Sequence, residues 1–318
     1  MKNSYKILIL GGSGLVGYSL VNNLKNSAKC NKIFYPNRNE LDLFDFNKTK
    51  KYIEDCKPDI LINAAAKVGG VLANNTLRTE FILDNLKINI NVLESCINLE
   101  QIVIFNLGSS CIYPKNVPNP IKEEYFMSGK LEETNSPYAM AKIAAIEIGD
   151  SISKQYGKKI INLMPTNLFG PNDFFSENRS HVIPSMIHKM HLAKLENHNE
   201  YSVWGSGKPL REFLYVDDFS KIVEFLIDKE VDEKILNIGS GFEISIRHLA
   251  ENIKEVIEFK GKLVFDLEKP DGINKKLLDS SKLKSLGWNK YSDFNDSLVK
   301  TYKWYLKNIN SNRIEKQL

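Results

Sequence analysis

The 318-residue chain has no apolar run of membrane-spanning length, and a span needs about 20 consecutive apolar residues. No membrane association is expected. It has no block of like charge either: lysines and carboxylates are interspersed and the net charge is only +4. Without a basic stripe or an aromatic array, nucleic acid is not an expected partner. Cysteine is scarce, and the four residues Cys30, Cys56, Cys96 and Cys111 are scattered. Their spacing suits neither a disulfide frame nor a metal site, so no metal is expected and a reducing compartment is. The N-terminus runs straight into a strand pattern with no signal-peptide core, which predicts a cytoplasmic protein. There are no repeats or low-complexity segments, and the length suffices for two lobes and a sizeable core.

What is present is an alternation of strand and helix patterns. The apolar residues 5–10 run into Gly11-Gly12-Ser13-Gly14-Leu15-Val16-Gly17, and a helical pattern follows through Leu20, Val21 and Leu24. A glycine turn between a strand and a helix lets the backbone approach a pyrophosphate, whose charge meets the free N–H groups of the helix start. The next strand, 32–35, decides the dinucleotide. A carboxylate at its end would favour NAD, whereas an arginine accommodates the 2′-phosphate of NADP. Here Pro36-Asn37-Arg38 follows and the first acidic residue is Glu40, so NADP (NADPH) is expected, with Arg38 on the phosphate. Asp42 and Asp45 either lie near the adenine or begin the next helix at Asn47.

A buried strand at 59–63 leads into Ala64-Ala65-Ala66-Lys67-Val68-Gly69-Gly70, small residues that leave room for a ligand. Residues 79–99 show helical spacing through Phe81, Leu86, Ile90 and Leu93. The next apolar run, 102–105, is short, continuous and rich in branched and aromatic residues, as a strand buried on both faces should be. It delivers Gly108-Ser109-Ser110-Cys111-Ile112-Tyr113-Pro114-Lys115 to a carboxyl edge, where open α/β sheets bind ligands. A helix is then bounded by Ser136 as N-cap, Pro137 in the first turn and Gly157 beyond its end. It carries Tyr138 and Lys142 on one face. An ammonium beside a phenol stabilises the phenolate and lowers a pKa that is ordinarily about 10. The same spacing also fits two surface residues of an amphipathic helix.

The repeated strand–helix–strand order predicts an α/β fold with a right-handed, doubly wound parallel sheet (Rossmann). Between Cys111 and Tyr138 lies a proline-bearing, charged stretch, long enough to suggest a functional cover. After the strand at 159–164 and Pro165-Thr166-Asn167-Leu168, the alternation fails. A polar loop carries Asp173, Arg179 and His181, a helix starts near Pro184, and 203–213 is a turn-rich patch. A helix at 219–227, a strand at 235–238 and helices at 246–257 and 294–306 complete the pattern. The expected division is 1–170 as NADP-binding Rossmann domain, completed by about 212–240, with 171–211 and 241–318 as a smaller mixed α/β substrate domain.

The glycine turn, Ala-Ala-Lys-Val-Gly-Gly at 65–70, Gly-Ser-Ser-Cys-Ile-Tyr-Pro-Lys at 108–115 and Tyr138-x-x-x-Lys142 stand in order along the chain. So do Pro-Thr-Asn-Leu at 165–168, His181-Val-Ile-Pro, Val-Trp-Gly-Ser-Gly at 203–207, Arg-Glu-Phe-Leu at 211–214 and Lys-Pro-Asp-Gly at 269–272. With these motifs the chain resembles the GDP-L-fucose synthase family of extended short-chain dehydrogenase/reductases. The resemblance implies a bifunctional enzyme that epimerises GDP-4-keto-6-deoxy-D-mannose at C3 and C5 and then reduces C4 with NADPH. A related GDP-4-keto sugar such as a 6-deoxyheptose is the alternative substrate, and reduction without epimerisation the alternative activity. A GDP-sugar partner and a homodimer packed through long helices are implied with it.

By the same resemblance Tyr138 and Ser109 hold the C4 oxygen, Lys142 lowers the tyrosine pKa and binds the nicotinamide ribose, and Cys111 and His181 act as base and acid. A thiol in that role needs its pKa lowered by a nearby imidazolium or other cation. Further cofactor contacts are implied for Leu107, Gly108, Ser110, Pro165, Thr166, Asn167, Leu168 and His181. Lys189, Trp204, Arg211, Asp271 and Lys276 are implied for the GDP-sugar. Three positions depart from the family pattern: Lys189 replaces an arginine, Phe174 follows Asp173 in place of asparagine, and Ser13 stands where some relatives carry arginine. The last leaves Arg38 to hold more of the 2′-phosphate.

Overall fold

The computed structural model describes residues 4–269 and 271–315. Pro270 of the Lys-Pro-Asp-Gly stretch lies outside the described residues. The first half alternates β1 (Tyr5–Leu10), β2 (Cys30–Phe34), β3 (Ile60–Asn63), β4 (Val103–Leu107) and β5 (Lys159–Pro165) with α1 (Leu15–Leu24), α2 (Phe46–Cys56), α3 (Val71–Thr76), α4 (Arg78–Ser95) and α5 (Ser136–Tyr156). Next come β6 (Asn167–Phe169), α6 (Val182–Leu195), β7 (Glu200–Trp204), β8 (Leu210–Tyr215), α7 (Val216–Leu226) and β9 (Ile235–Ile238). The remainder holds β10 (Glu243–Ser245), α8 (Ile246–Ile257), β11 (Lys262–Asp266), β12 (Lys275–Lys276), α9 (Ser281–Ser285) and α10 (Phe294–Lys307).

Six parallel strands form the main sheet in the order β2-β1-β3-β4-β5-β9. Ile7 to Leu10 and all of β3 are buried, as continuous apolar strands covered on both faces must be. Leu20, Leu24, Phe219 and Ile222 of α1 and α7 pack in the core on one face, and Ile53, Val92, Ala145 and Ile152 of α2, α4 and α5 on the other. Because β2 and β3 flank β1 on opposite sides, the strand order reverses at the tip of β1. A doubly wound sheet opens its crevice at such a point. A further core joins Phe169, Phe175, Ile187, Phe213, Leu249, Ile253 and Tyr305, around the smaller sheets β10-β8-β12 and β11-β7, with β6 beside β8. Among the described residues no helix is long and apolar enough to cross a membrane.

Several local expectations change. Asn135, not Ser136, occupies the N-cap of α5, and its side chain makes no cap hydrogen bond. Ser136 is the first helical residue, and its Oγ donates to the Glu133 carbonyl at 3.2 Å. Gly157 ends the helix in the left-handed region at φ 66°. Asp45 is the N-cap of α2, accepting from the Lys48 N–H at 3.0 Å, so it starts the helix. The patch at 203–213 is largely strand, and Gly205 and Gly207 make its turns at φ +75°. The stretch after Cys111 is stitched down: Ile121 N–H donates to the Leu277 carbonyl at 2.7 Å, and Glu123 Oε1 accepts from Asn237 N–H at 3.1 Å.

The face of α4 also differs from the apolar spacing. Phe81 and Leu93 are buried, but Ile90 is 40% exposed while Asn85 and Asn89 are buried at 0% and 1%. The cause is a line of buried amides. Asn63 Nδ2 donates to Asn89 Oδ1 at 3.1 Å and to Asn106 Oδ1 at 3.0 Å, and Asn106 Nδ2 donates to Asn162 Oδ1 at 3.0 Å. Buried amides are retained where they find partners. Asn85 accepts from Lys67 N–H and donates to the Lys67 carbonyl, both at 3.0 Å, which anchors the loop at 64–70.

Candidate active site

The glycine turn is built as its sequence implies. Gly11 lies at φ +78°, and a Cβ there would stand 2.8 Å from the Ala64 backbone; one on Gly17 would stand 2.1 Å from the Gly11 oxygen. The strand, turn and helix pack so closely that only glycine fits. Gly14 caps α1 without a side-chain hydrogen bond, so the first-turn N–H groups of Leu15 and Val16 have no capping side chain. The unpaired donors and positive end of a helix suit a pyrophosphate. Gly12 packs on the Cβ of Tyr35, and Arg38 is exposed three residues on.

The sheet brings the reactive side chains together one strand tip away. Lys142 is buried, and its Nζ donates to the Leu107 carbonyl at 2.6 Å and lies 5.8 Å from the centroid of the Tyr138 ring. Ser109 Oγ accepts from the Cys111 N–H at 3.3 Å. Gly108 leaves room for Met164, whose Cε would be 2.2 Å from a Cβ there.

Burial pushes the Cys111 thiol up; the Lys276 charge, the Ser109 hydroxyl and the Lys142 charge pull it down. Burial likewise raises the Tyr138 phenol, reinforced by Cys111. It lowers Lys142 to about 8 against an opposing effect of Cys111. Two expectations are corrected here. The cations beside the thiol are lysines, a kind of cation the expectation allowed, but desolvation outweighs them and the thiol is not brought down. Nor does Lys142 bring the phenol down, because burial dominates a phenol whose charged form has lost its water.

His181 is the N-cap of α6. Its side chain is exposed by area, yet the protein around it lowers its pKa by desolvation. Among the described residues it makes no hydrogen bond, ion pair or ring contact with Cys111 or Tyr138. A chain of packing links them instead: the Tyr138 ring lies edge-on to Phe81 at 6.3 Å, and Gly69 is wedged against Phe81 and the Arg179 carbonyl. Gly70 N–H donates to that carbonyl at 2.9 Å, so the loop before His181 rests on the tip of β3.

Opposite these groups a second wall is cationic. Lys276 lines a small cavity with Cys111, Glu132 and Ile273. Burial lowers its pKa, with Cys111 opposing and Arg211 adding to the fall. Arg211 Nη1 donates to the carbonyls of Leu210 at 2.8 Å and Ile273 at 2.5 Å. Asp271 accepts from Ser206 N–H at 2.8 Å and Ser206 Oγ at 2.7 Å, closing the turn after Trp204. The exposed Trp204 ring has Lys189 at 6.0 Å and Lys269 at 5.8 Å. Lys269 is an addition to the expected set, its only sequence signal being its place in Lys-Pro-Asp-Gly.

Glu212 was also missed as a site-builder. It is 0% exposed and accepts from Gly241 N–H at 2.8 Å and Leu278 N–H at 3.0 Å. Its carbonyl accepts from Thr166 Oγ1 at 3.1 Å and Asn167 Nδ2 at 2.9 Å. Thus Pro165, Thr166, Asn167 and Leu168 are tied where the chain leaves the main sheet for the second one.

A glycine turn at the switch point of a doubly wound sheet, beside a buried lysine, a phenol and a strand-tip serine, defines a dinucleotide-dependent enzyme of the short-chain dehydrogenase/reductase class. The model of the NAD dependent epimerase/dehydratase family matches residues 7–239. GDP-L-fucose synthase 1 of Arabidopsis thaliana is 46% identical over 306 residues, 96% of this chain and 94% of that protein. Among solved structures, a GDP-L-fucose synthetase from Naegleria fowleri bound to NADP superposes with a TM-score of 0.91 at 30% identity, covering 98% of this chain and 96% of that one. A GDP-6-OMe-4-keto-L-xylo-heptose reductase from C. jejuni superposes with a TM-score of 0.88 at 31% identity, over 96% of this chain and 99% of that one. The chain belongs to the NAD dependent epimerase/dehydratase family, on the GDP-L-fucose synthase branch of the extended short-chain dehydrogenase/reductases.

Proposed function

We propose that this enzyme converts GDP-4-keto-6-deoxy-D-mannose to GDP-L-fucose, by epimerisation at C3 and C5 followed by NADPH-dependent reduction at C4. The observation that carries it is the buried thiol of Cys111, which follows the β4 tip, is bonded through its N–H to Ser109 Oγ and lines a cavity with Lys276. Hydride transfer alone does not require a thiol there. C3 and C5 both adjoin the C4 ketone, so each deprotonation gives its own enolate with the charge on the same C4 oxygen, and donors aimed at that oxygen serve every step. Ser109 and Tyr138 hold that oxygen. Cys111 removes each proton from one face of the ring and His181 delivers one from the other. NADPH, when bound, supplies the hydride to C4. Tyr138 then gives its proton to the new alkoxide, and Lys142 holds the nicotinamide ribose and the Leu107 carbonyl.

The residues fit that cofactor because a Cβ at Gly11, Gly12 or Gly17 would crowd the turn, which Ser13 and Gly14 complete, and because the exposed Arg38 follows β2 and takes the 2′-phosphate. Gly108, Ser110 and the segment 165–168 border the nicotinamide half. Arg211 and Lys276 take the substrate pyrophosphate, and Trp204, Lys189 and Asp271 take the nucleoside end. A lysine at 189 gives a point charge where a guanidinium would bind in pairs, which loosens discrimination there. The likeness to the heptose reductase favours a longer GDP-4-keto sugar as the second reading.

We divide the chain into a cofactor domain, 1–170 with 212–240, and a substrate domain, 171–211 with 241–318. The separate cores support this, although Leu283 returns to the first. A homodimer through α4 and α5 accounts for the exposed Leu83, Ile90 and Met140, and light scattering at the mass of one chain would oppose it. A cytoplasmic location accords with the free thiols.

The test of the chemistry is incubation with GDP-4-keto-6-deoxymannose and NADPH in deuterated water. Deuterium at both C3 and C5 of the product is expected. Cys111→Ser should abolish that exchange while NADPH affinity stays near wild type. Oxidation of NADPH without exchange in the wild type would leave a reductase only.

A further inference from the structure

The last described residues do not trail away from the fold. Phe175 N–H donates to the Arg313 carbonyl and Glu315 N–H to the Phe175 carbonyl, both at 2.8 Å. Ile314, paired with Phe175, is 5% exposed, and Arg179 Nη2 reaches Glu315 at 2.8 Å. Two backbone bonds, a buried aliphatic anchor and an ion pair therefore set the position of Arg313. Its Nη2 donates to the Ser13 carbonyl, and Asn172 Nδ2 donates to the same oxygen at 3.0 Å and to the Gly14 carbonyl at 3.3 Å. A guanidinium from 300 residues away is delivered onto the glycine turn.

The charges around it are unbalanced. Arg313 is half-buried and makes no ion pair among the described residues. Burial disfavours its charge, Asp173 supports it and the nearby Arg38 opposes it. Asp173 is buried, with Oδ1 accepting from Phe174 N–H at 2.8 Å and Oδ2 without a partner. Burial raises that carboxyl to about 7, so it is a weak counter-ion at neutral pH. On the other side Glu40 accepts from Asn37 N–H at 2.8 Å. The Arg313 guanidinium thus rests on the Ser13 carbonyl, and the charge of Arg38, exposed just beyond β2, acts on it. A dianionic phosphate with several acceptor oxygens is a counter-charge that two such guanidiniums can share.

We infer that Arg313 is a specificity-determining residue for the cofactor, gripping the 2′-phosphate of NADPH from the opposite side to Arg38. This rests on the cofactor reading proposed above and adds to it a residue from the far end of the chain. The 2′-phosphate is bound between β2 and the strap at 311–315, and Asn172 holds the turn while Arg313 divides its donors between the Ser13 carbonyl and the phosphate.

The test uses the full chain and direct binding of NADPH, NADH and 2′,5′-ADP to wild type, Arg313→Ala, Arg313→Lys and Arg38→Ala. Losing one charge-assisted contact should weaken NADPH and 2′,5′-ADP by about 10- to 100-fold. NADH should stay within about twofold, since it lacks the group that Arg313 grips. Arg313→Lys should fall between, keeping the charge but not the fork. Equal loss for NADH and NADPH would make Arg313 a brace for the turn and overturn the inference, as would no loss for either. Because the readout is a ratio of two ligands on one variant, a general loss of stability does not imitate it. A wild type that fails to prefer NADPH over NADH sinks the cofactor reading itself, and that result appears before any variant is made.

Discussion

Lys142 is a charged group in a place that disfavours charge, and its replacement by methionine should make that measurable. The residue is 2% exposed, and burial lowers its pKa from 10.5 to about 8, with Cys111 opposing. That interval corresponds to roughly 3 kcal/mol at about 1.4 kcal/mol per pH unit. Below pH 8 the lysine is charged in both the folded and the unfolded chain, and the folded protein bears the full penalty. Between pH 8 and 10.5 the unfolded chain holds the extra proton, so wild-type stability rises with pH. Above 10.5 both forms are neutral and the penalty is gone.

Lys142→Met removes the penalty at every pH, at the cost of the bond to the Leu107 carbonyl, about 1–2 kcal/mol. The loss of that bond mainly sets the level of the difference between the two proteins, whereas the titration sets its slope. We expect the stability advantage of the variant to shrink by roughly 3 kcal/mol from about pH 7 to about pH 10.5. Thermal midpoints of both proteins, without cofactor, across that range measure it. A difference that stays constant with pH would refute the idea that Lys142 titrates in the fold near 8. The same variant should lose catalysis, which would place the strain of this lysine at the service of the site.

Lys276→Met removes the cation that most strongly opposes the burial of Cys111. A pair of unit charges within about 4–6 Å, the range in which a neighbouring charge shifts a pKa by about 1–3 units, sets the scale, so the apparent pKa of deuterium exchange should rise by at most about 2 units. An unmoved pH profile would show that the lysine does not tune the thiol. Gly17→Ala places a Cβ 2.1 Å from the Gly11 oxygen, which forces α1 away from β1. Overpacking of this kind costs about 1–3 kcal/mol, and NADPH titration should show at least a tenfold loss of affinity together with a lower thermal midpoint; wild-type values for both would mean that the turn has slack.

Much of the fold was readable because its cause is local. The strand at Tyr5–Leu10, the glycine turn, the strand at Ile235–Ile238 and the helix at Ile246–Ile257 depend on runs of apolar residues or on their spacing, and both are printed in the chain. The face of α4 was misread for the opposite reason. Asn85 and Asn89 look like solvent residues until Lys67 and Asn63, distant in sequence, supply the partners that let an amide be buried. The patch at 203–213 reads as turns because its glycines are visible while its pairing to β10, β11 and β12 is not.

The site divides in the same way. That Ser109 and Cys111 come after a strand tip and that Tyr138 and Lys142 share a helix face follows from residue types and their order, whereas the roles of Cys111 and Lys276 were implied by the family resemblance. Whether those groups are charged there is a property of the surroundings, and burial reverses the expected direction for Cys111 and Tyr138 alike. Arg313 lies beyond any motif. The order of residues determined a doubly wound enzyme with its reactive groups at the strand tips, because periodicity and glycine act over a few residues. Only the folded chain decided which cations share a space and how much water they keep, because electrostatics depends on distance and burial rather than on position along the backbone.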